Sequence, residues 1–367
     1  MAEKGLSSYN RMRAVLYGES IDRIPVAEDF WWDTIEKWTR DGHILPGESM
    51  VEHFDLDADR NGLINSYIEP NFQSVLLEED EDKVLYLDGN GATLRHHKKH
   101  SSTPEHVGYK IIDRDTWETF AKPALASLDR CRIPFLAYRD LRKKMKEQER
   151  FFMNDAFGPF EMMQRLVGHE VLLLNMALDP EWVKDMVITY AQFNIIHWEE
   201  LFSEEGLPDS TWIADDLGFK DKPFMSPDMF EDMMLPGYEI MINYLHSKGL
   251  KVVLHSCGYI QPLLPLLIDI GIDCYEAIEY KAGTDMRKLF TSYGNKIVYF
   301  GNIDTRVLES NDIELIKKEL NDKIKPIIQN NGRYILHSDH SISPKVEYKT
   351  FCRYLEIGRD LLNSNFK

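Results

Sequence analysis

Short apolar segments recur along this 367-residue chain, and amphipathic stretches separate most of them. Each apolar segment is largely uninterrupted by polar residues, as parallel strands buried on both faces should be. Repeated strand-helix units of this size predict a parallel α/β fold, either an open doubly wound sheet or a closed (β/α)8 TIM barrel. The seven predicted strands lie within residues 23–29, 150–158, 210–218, 251–258, 273–279, 296–304 and 333–340.

Polar residues at the ends of these segments favour the barrel. A closed barrel gathers the carboxyl ends of all its strands around one mouth, whereas an open sheet brings together only the ends beside its topological switch point. The residues at the predicted strand ends are Glu28 and Asp29, Asp155, Asp215 and Asp216, His255 and Cys257, Glu276 and Glu279, Asn302 and Asp304, and His337 and His340.

Residues 40–148 fit the strand-helix pattern poorly. The stretch "KVLYLDGNGATLRHHKKH" at 83–100 predicts a hairpin with a tight Asp-Gly-Asn-Gly turn. No internal repeat, low-complexity tract or Pro/Gly/Ser-rich linker divides the chain. We therefore expect one domain over residues 1–367, with an elaboration at about 40–148 that contains this hairpin and one further barrel strand.

Charge and composition exclude some partners. The formal net charge of -18 argues against nucleic acid or an anionic membrane surface, because both would repel this chain. The first residues lack the apolar core of a signal peptide, and no apolar run reaches the roughly 18 residues that a membrane span needs. We expect a cytoplasmic protein whose 4 cysteines are thiols rather than disulfides.

A histidine and a cysteine stand two positions apart in "KVVLHSCG". If the strand continues to Cys257, the side chains of His255 and Cys257 project from the same face and form a sound pair of zinc ligands. The alternative is a buried thiol beside a hydrogen-bonded core histidine, and a third ligand would decide between them. The candidates for a third ligand are His337, His340, Asp216 and Glu276.

Four longer segments follow one another along the chain: "GPFEMMQRLVGHEVLLLNMALDPEWV", "ADDLGFKDKPFMSPDMFEDMMLPGYEIMINYLHSKG", "LHSCGYIQPLLPLLIDIGIDCYEAIE" and "YFGNIDTRVL". They resemble the uroporphyrinogen decarboxylase superfamily, in the order in which that superfamily has them. The resemblance runs from about Arg11 to the C-terminus and implies a (β/α)8 barrel. It is nearest to the zinc-dependent, corrinoid-linked methyltransferases, such as methylcobamide:coenzyme M methyltransferases and the methyltransferase components of O-demethylase systems.

The resemblance also implies a set of zinc ligands. These methyltransferases carry a His-x-Cys pair, which His255 and Cys257 match, and a later cysteine on the last strand. The present chain reads "SDHSISP" there, which puts His340 in place of that cysteine. Because histidine is a competent zinc ligand, we expect a site formed by His255, Cys257 and His340.

The decarboxylases of the superfamily are a poorer match at the first strand. They carry an arginine-containing segment there that handles the carboxylates of the substrate, whereas this chain reads "VAEDFWWDTIEKW". Glu28, Asp29 and Asp33 would repel a polycarboxylate, so decarboxylation of uroporphyrinogen is not expected.

A zinc ion held by one thiolate and two imidazoles is a harder Lewis acid than one held by two thiolates. Our hypothesis is that such a zinc polarises the oxygen of a methyl donor while a cobalt(I) corrinoid takes the methyl group. The chain contains no Asp-x-His-x-x-Gly signature for the lower ligand of cobalt. The corrinoid (cobalamin) is therefore expected on a separate partner protein.

Other strand-end residues are candidates for binding the small substrate. Trp31 and Trp32 could form an aromatic wall for a methoxylated donor, or they could be core residues of the first helix. Glu279 and Asn302 are candidates for substrate contact or for shaping loops at the mouth.

Three acidic residues are candidates for acid-base catalysis. Asp215 and Asp216 could orient His255 or accept a proton, or one of them could cap a helix. With Glu28 they would also serve an alternative function, a metal-free decarboxylase or lyase acting on a small substrate. A third alternative is an inactive barrel that binds a tetrapyrrole or corrinoid partner. The methyl donor and acceptor, the direction of transfer and the choice between monomer and homodimer are left open.

Overall fold

The computed structural model describes residues 5–99 and 104–362. Seven strands form one parallel sheet in which almost every neighbour in space is also a neighbour in sequence, the order being β1-β6-β7-β8-β9-β10-β11. This parallel α/β architecture confirms the predicted fold class and is consistent with a TIM barrel. The strands are β1 (Ala58–Asn61), β6 (Phe151–Phe157), β7 (Ser210–Ala214), β8 (Lys251–His255), β9 (Cys274–Ala277), β10 (Val298–Gly301) and β11 (Tyr334–Ile335).

The predicted strand at 23–29 forms isolated bridges rather than a regular strand. Val26 pairs in parallel with Leu336, just after β11, and Ala27 N donates to Leu336 O at 3.2 Å. On the other side, Asp57 N donates to Val26 O at 2.7 Å, directly before β1. The segment therefore lies between the two edge strands of the sheet.

Helices follow the parallel strands, as the sequence pattern predicts. The longest are α7 (Pro159–Leu178) and α8 (Pro180–Glu205), which both lie between β6 and β7. The remaining helices are α1 (Ser8–Tyr17), α2 (Trp32–Arg40), α3 (Met50–His53), α4 (Arg114–Thr116), α5 (Lys122–Leu125), α6 (Phe135–Glu147), α9 (Pro227–Met229), α10 (Leu235–Ser247), α11 (Leu264–Asp269), α12 (Met286–Tyr293), α13 (Thr305–Glu309), α14 (Ile313–Gln329) and α15 (Tyr348–Asp360).

A second sheet accounts for much of the elaboration between β1 and β6. It is antiparallel and contains β2 (Val75–Glu79), β3 (Lys83–Leu87), β4 (Thr93–His97) and β5 (Glu105–Gly108). The predicted hairpin is confirmed as β3 and β4; only His100, at its predicted end, lies outside the described residues. Asp88 closes the turn, because its carboxylate accepts from Asn90 N and Ala92 N at 2.9 and 2.8 Å.

Alternation along the parallel strands creates two layers inside the curve of the sheet. An inner apolar cluster includes Ala27, Ala58, Met153, Val253, Cys274 and Ile335, with α1 packed against it through Met12 and Leu16. Because side chains on a strand repeat their direction every two residues, the next inward layer consists of the residues two positions further on. That layer is polar and contains Asp29, Arg60, Asp155, His255, Glu276 and His337.

In the parts of the chain that the structure describes, no helix is both long and apolar enough to cross a membrane.

A buried ionic cluster ties the N-terminal segment to β1. The Asp57 carboxylate is fully buried, and it pairs with Arg11 at 2.6 Å and with Arg23 at 2.7 Å. Val26 N donates to the same carboxylate at 2.8 Å. Three donors thus compensate the burial of one charge at the junction between the N-terminal segment and β1.

We predict that Asp57→Asn lowers the free energy of unfolding by about 3–5 kcal/mol, because it leaves two guanidinium groups without their buried partner. Asp55→Asn is the matched control, since the Asp55 side chain is 68% exposed and its ion pair with Arg150 lies at the surface. That change should cost at most about 1 kcal/mol. Urea denaturation measures both, and equal small losses would contradict the role of Asp57.

Candidate metal centre

His255 closes β8, and a buried carboxylate fixes the orientation of its ring. Nδ1 of His255 donates to Glu276, and Trp212 Nε1 donates to the same Glu276 oxygen at 3.2 Å. The other Glu276 oxygen lies 3.6 Å from His337 Nδ1. A carboxylate on one ring nitrogen sets the tautomer, so Nε2 of His255 is the nitrogen left to bind a metal.

Two further ligand atoms face His255 Nε2. Cys257 Sγ and Asp216 Oδ1 each lie 3.5 Å from it. Ligand atoms of the three side chains all lie within 4.8 Å of one another, and no other such group of three occurs among residues 5–99 and 104–362. Imidazole, thiolate and carboxylate are all zinc ligands, so the chemistry of these three donors fits that metal.

The loop after β8 brings Cys257 to this position. The strand ends at His255, so the condition of a strand that continues to Cys257 is not met, although the two side chains do meet. Cys257 N donates to Asp216 Oδ1 at 2.9 Å, and Gly258 N donates to Glu279 at 2.6 Å. Gly258 has a φ of 76° and packs against the backbone of Gly218, where a side chain would have no space.

The ionisable groups of His255, Asp216 and Cys257 shift one another's pKa values. Burial would lower the pKa of His255, but Glu276, Cys257 and Asp216 together raise it well above its usual value. Burial would raise the pKa of Asp216, but its contacts with His255 and Cys257 N lower it to about 2. Burial raises the pKa of Cys257 to about 11. A bound cation would therefore be needed to hold Cys257 as a thiolate at neutral pH.

His340, the third ligand predicted from the family resemblance, lies at the mouth but outside the group of three. Its ring stacks on Trp31 with centroids 5.5 Å apart and an interplanar angle of 19°. Burial, and then the charge of Lys281, lower the pKa of His340, which favours the neutral imidazole that a metal requires. Its contribution as a ligand stays a prediction, and Asp216 is the nearer donor in this structure.

Two of the three predicted acid-base residues are engaged in structural hydrogen bonds. The buried Asp215 carboxylate accepts from Phe160 N and Glu161 N at 3.1 and 2.6 Å, and also from Tyr238. It thus caps the start of α7, which is the alternative role considered for this pair. Burial raises the pKa of Glu28 to about 7, and this carboxyl group accepts from Ser338 and Tyr354.

The predicted substrate-binding residues differ in their placement. Trp31 lines the mouth beside His340, whereas the Trp32 side chain is 64% exposed at the start of α2. Glu279 holds the loop of Cys257 through Gly258 N. The buried Asn302 side chain donates to Ile278 O and Thr284 O and accepts from Met286 N. Its amide shapes the loop after β9 rather than facing the mouth.

A cavity of about 250 Å³ lies against the polar layer, and Trp212 and Glu276 form part of its wall. Its charged lining includes Arg60, which pairs with Asp29 Oδ2 and Asp155 Oδ1, both at 2.9 Å. The Arg60 guanidinium also lies 4.0 Å from the centre of a Trp212 ring. Arg60 was missed by the sequence reasoning, because "ADRN" contains no apolar run that would have placed β1.

Comparison with known proteins identifies the family. The family model for uroporphyrinogen decarboxylase (URO-D) matches residues 86–360, about three quarters of the chain. The chain belongs to the uroporphyrinogen decarboxylase family. This confirms the superfamily resemblance that the sequence motifs indicated. No curated protein sequence matches this URO-D chain.

Three solved structures are similar to this chain to different degrees. A methyltransferase from Methanosarcina mazei superposes with a TM-score of 0.67 at 17% identity, covering 98% of this chain and 99% of that one. A Xaa-Pro dipeptidase with bound methionine has a TM-score of 0.30 at 13% identity, with 70% and 67% coverage. A β-glycosidase from Thermosphaera aggregans has a TM-score of 0.37 at 12% identity, with 84% and 82% coverage. The first of these supports a shared fold over the whole chain.

We predict opposite effects for the adjacent changes Asp215→Ala and Asp216→Ala. Loss of Asp215 leaves three buried donors without an acceptor and should cost about 2–4 kcal/mol of unfolding free energy, while the folded protein still binds zinc. Loss of Asp216 should cost about 1 kcal/mol or less but weaken zinc binding at least about tenfold. Urea denaturation and zinc titration against a chelating indicator measure the two effects. An Asp215 variant of unchanged stability would contradict the capping role.

Proposed function

We propose that this URO-D family member is a zinc-dependent methyltransferase that moves a methyl group between a small substrate and a corrinoid carried by a separate protein. The observation that carries the proposal is the convergence of His255 Nε2, Cys257 Sγ and Asp216 at one mouth of the sheet. The fold shared with a methyltransferase from Methanosarcina mazei supports the same reaction class. A cytoplasmic location stays a prediction.

We also infer that the segment around Val26 acts as the eighth strand of a closed (β/α)8 barrel. Support comes from its hydrogen bonds to Leu336 on one side and to Asp57 on the other. Closure would set Asp29 beside Arg60 and His337 in a continuous ring of inward-facing residues. Such a ring would hold the substrate and the metal at the same end of the barrel.

His255 and Cys257 would hold the zinc, and either His340 or Asp216 would supply the third ligand. The bound metal would act as a Lewis acid toward an oxygen or sulfur atom of the substrate. Glu276 keeps His255 in the required tautomer and orientation through the hydrogen bond to Nδ1. Trp31 provides an apolar surface beside His340 against which a substrate could lie.

The choice of third ligand affects the reactivity of the site. With His340, the zinc would have one anionic ligand and keep a net positive charge; with Asp216, thiolate and carboxylate together would neutralise it. The first arrangement favours activation of an ether or alcohol oxygen, as we expected from the sequence. The second arrangement would reduce that activation. It would require less movement of the side chains, because Asp216 Oδ1 already lies 3.5 Å from His255 Nε2.

The metal-free lyase or decarboxylase is the weaker alternative. It requires free carboxyl groups at Asp215, Asp216 and Glu28. The Asp215 carboxylate accepts hydrogen bonds from the first backbone N–H groups of α7, and both oxygens of Glu28 also accept hydrogen bonds. Of the three residues, Asp216 is the one whose carboxylate is grouped with His255 and Cys257.

We predict that the purified protein binds about one zinc ion per chain and demethylates at least one donor in the presence of cobalt(I) cobalamin. Cys257→Ser should lose both zinc and methyl transfer, because the thiolate is a direct ligand. Cys131→Ser is the matched control, since Cys131 is exposed and lies on a separate segment. Elemental analysis measures the zinc, and visible absorption follows the conversion of cobalt(I) cobalamin to methylcobalamin.

Two single variants separate the third-ligand candidates within the same assay. If His340 is the ligand, His340→Ala loses zinc and Asp216→Ala still binds one zinc ion, but about tenfold more weakly. If Asp216 is the ligand, Asp216→Ala loses zinc and His340→Ala retains it. Full zinc and full activity in Cys257→Ser would contradict the proposed function.

A further inference from the structure

The cavity beside the metal centre has an excess of negative charge. Five carboxyl groups contribute to its lining: Glu28, Asp29, Asp59, Asp155 and Glu276. Only Arg60 and His337 oppose them. Arg60 is already shared between Asp29 and Asp155, and His337 lies among Glu28, Asp29 and Glu276. Glu276 is also hydrogen-bonded to His255, and the pKa of Glu28 is raised to about 7, so the clearest excess of negative charge lies at Asp29 and Asp155, which share one guanidinium.

The carboxylates nearest Arg60 stay charged at neutral pH. Burial would raise the pKa of Asp29, but Arg60 and His337 lower it below its usual value. Burial raises the pKa of Asp155 to about 6, which still leaves that group mostly ionised at pH 7. A zinc ion bound by His255, a thiolate and the Asp216 carboxylate would carry no net charge. With His340 as third ligand the zinc would keep one positive charge, but the Asp216 carboxylate would stay beside it, so neither arrangement would reverse the sign of the cavity.

One guanidinium in the cavity serves two carboxylates. Arg60 pairs with Asp155 Oδ1 and with Asp29 Oδ2, both at 2.9 Å, and the two acidic side chains are 24% and 32% exposed. One positive charge cannot balance two negative charges, so about one negative charge stays beside the cavity. This pair of carboxylates therefore marks a place where a cationic group would be stabilised.

The rest of the lining is apolar and offers space for methyl groups. Ala27, Val51, Ala58, Met153 and Phe300 belong to the same lining. Apolar walls beside uncompensated carboxylates are suited to an alkylated ammonium group, whose charge is spread over its methyl groups and is weakly hydrated. A carboxylate or phosphate substrate would meet repulsion from several directions.

We propose that this cavity selects a small organic cation, such as an alkylated ammonium compound, as the substrate of the site. The inference rests on the proposed function, because it treats the cavity as the substrate pocket beside the metal centre. Asp155 and Asp29 provide the recognising charge, and Met153 and Phe300 contact the alkyl groups. Neutral compounds of the same shape bind more weakly, and anions are excluded.

Three probes of nearly equal shape test the charge selectivity by calorimetry. Choline is positive, 3,3-dimethyl-1-butanol is its neutral carbon analogue, and 3,3-dimethylbutanoate is negative. We expect choline to bind at least about tenfold more tightly than the alcohol and the acid not to bind. The series is repeated on zinc-free protein, so that coordination of the acid by zinc is recognised. Equal or tighter binding of the neutral or negative probe, or no binding of choline, would overturn the proposal.

Asp155→Asn tests the residue itself. It should weaken choline binding about tenfold and leave the alcohol unaffected, because only the charge is removed. Asp140→Asn, on the exposed face of α6, makes the same chemical change outside the cavity and should affect neither probe. Unchanged choline affinity in Asp155→Asn would contradict the assignment, and the three-probe series on the unaltered protein decides the question if this variant does not fold.

Zinc content, measured on the same preparations, separates the two proposals. A chain that prefers choline but binds no zinc would refute the proposed methyltransferase and retain the cation pocket. A chain with one zinc that binds the three probes equally would refute only the cation pocket.

Discussion

The arrangement of the candidate site depends on one buried carboxylate, that of Glu276. Its side chain is 2% exposed, and such a charge is tolerated only when neighbouring groups compensate it. Burial would raise its pKa, but His255 and then His337 keep the pKa below its usual value. The same contacts turn Nε2 of His255 toward Cys257 and Asp216. Because the buried charge of Glu276 must be compensated by His255, Glu276 sets the orientation of the first candidate metal ligand.

The strands position this carboxylate through simple alternation. Cys274 faces the inner apolar cluster, and Glu276, two residues later, faces the same way in the polar layer. Val253 and His255 on β8, and Met153 and Asp155 on β6, follow the same rule. The inner cluster stabilises the sheet, while the layer above it carries the charges. The contacts of Asp57 with Arg11 and Arg23 fasten the N-terminal segment beside β1, so Asp29 joins that layer.

The sequence predicted the parts of this structure that have a periodic signal. Uninterrupted apolar runs located the later strands, and the Asp-Gly-Asn-Gly turn located the β3-β4 hairpin. The position of β1 could not be predicted because "ADRN" is polar, and Arg60 was therefore not recognised as a residue of the polar layer. Alternation could pair His255 with Cys257 only if the strand continued to Cys257, but a loop held by Asp216 and Glu279 brings the two side chains together instead. Spacing alone could not reveal that Asp215 caps a helix that begins 56 residues earlier, at Pro159.

The central claim is that His255 and Cys257 bind zinc with a single thiolate. X-ray absorption at the zinc edge of the zinc-loaded protein measures the ligand atoms directly. The account predicts one sulfur scatterer at about 2.3 Å, with the remaining ligands nitrogen or oxygen at about 2.0–2.2 Å. A zinc environment without sulfur, or with two sulfur ligands, would contradict it.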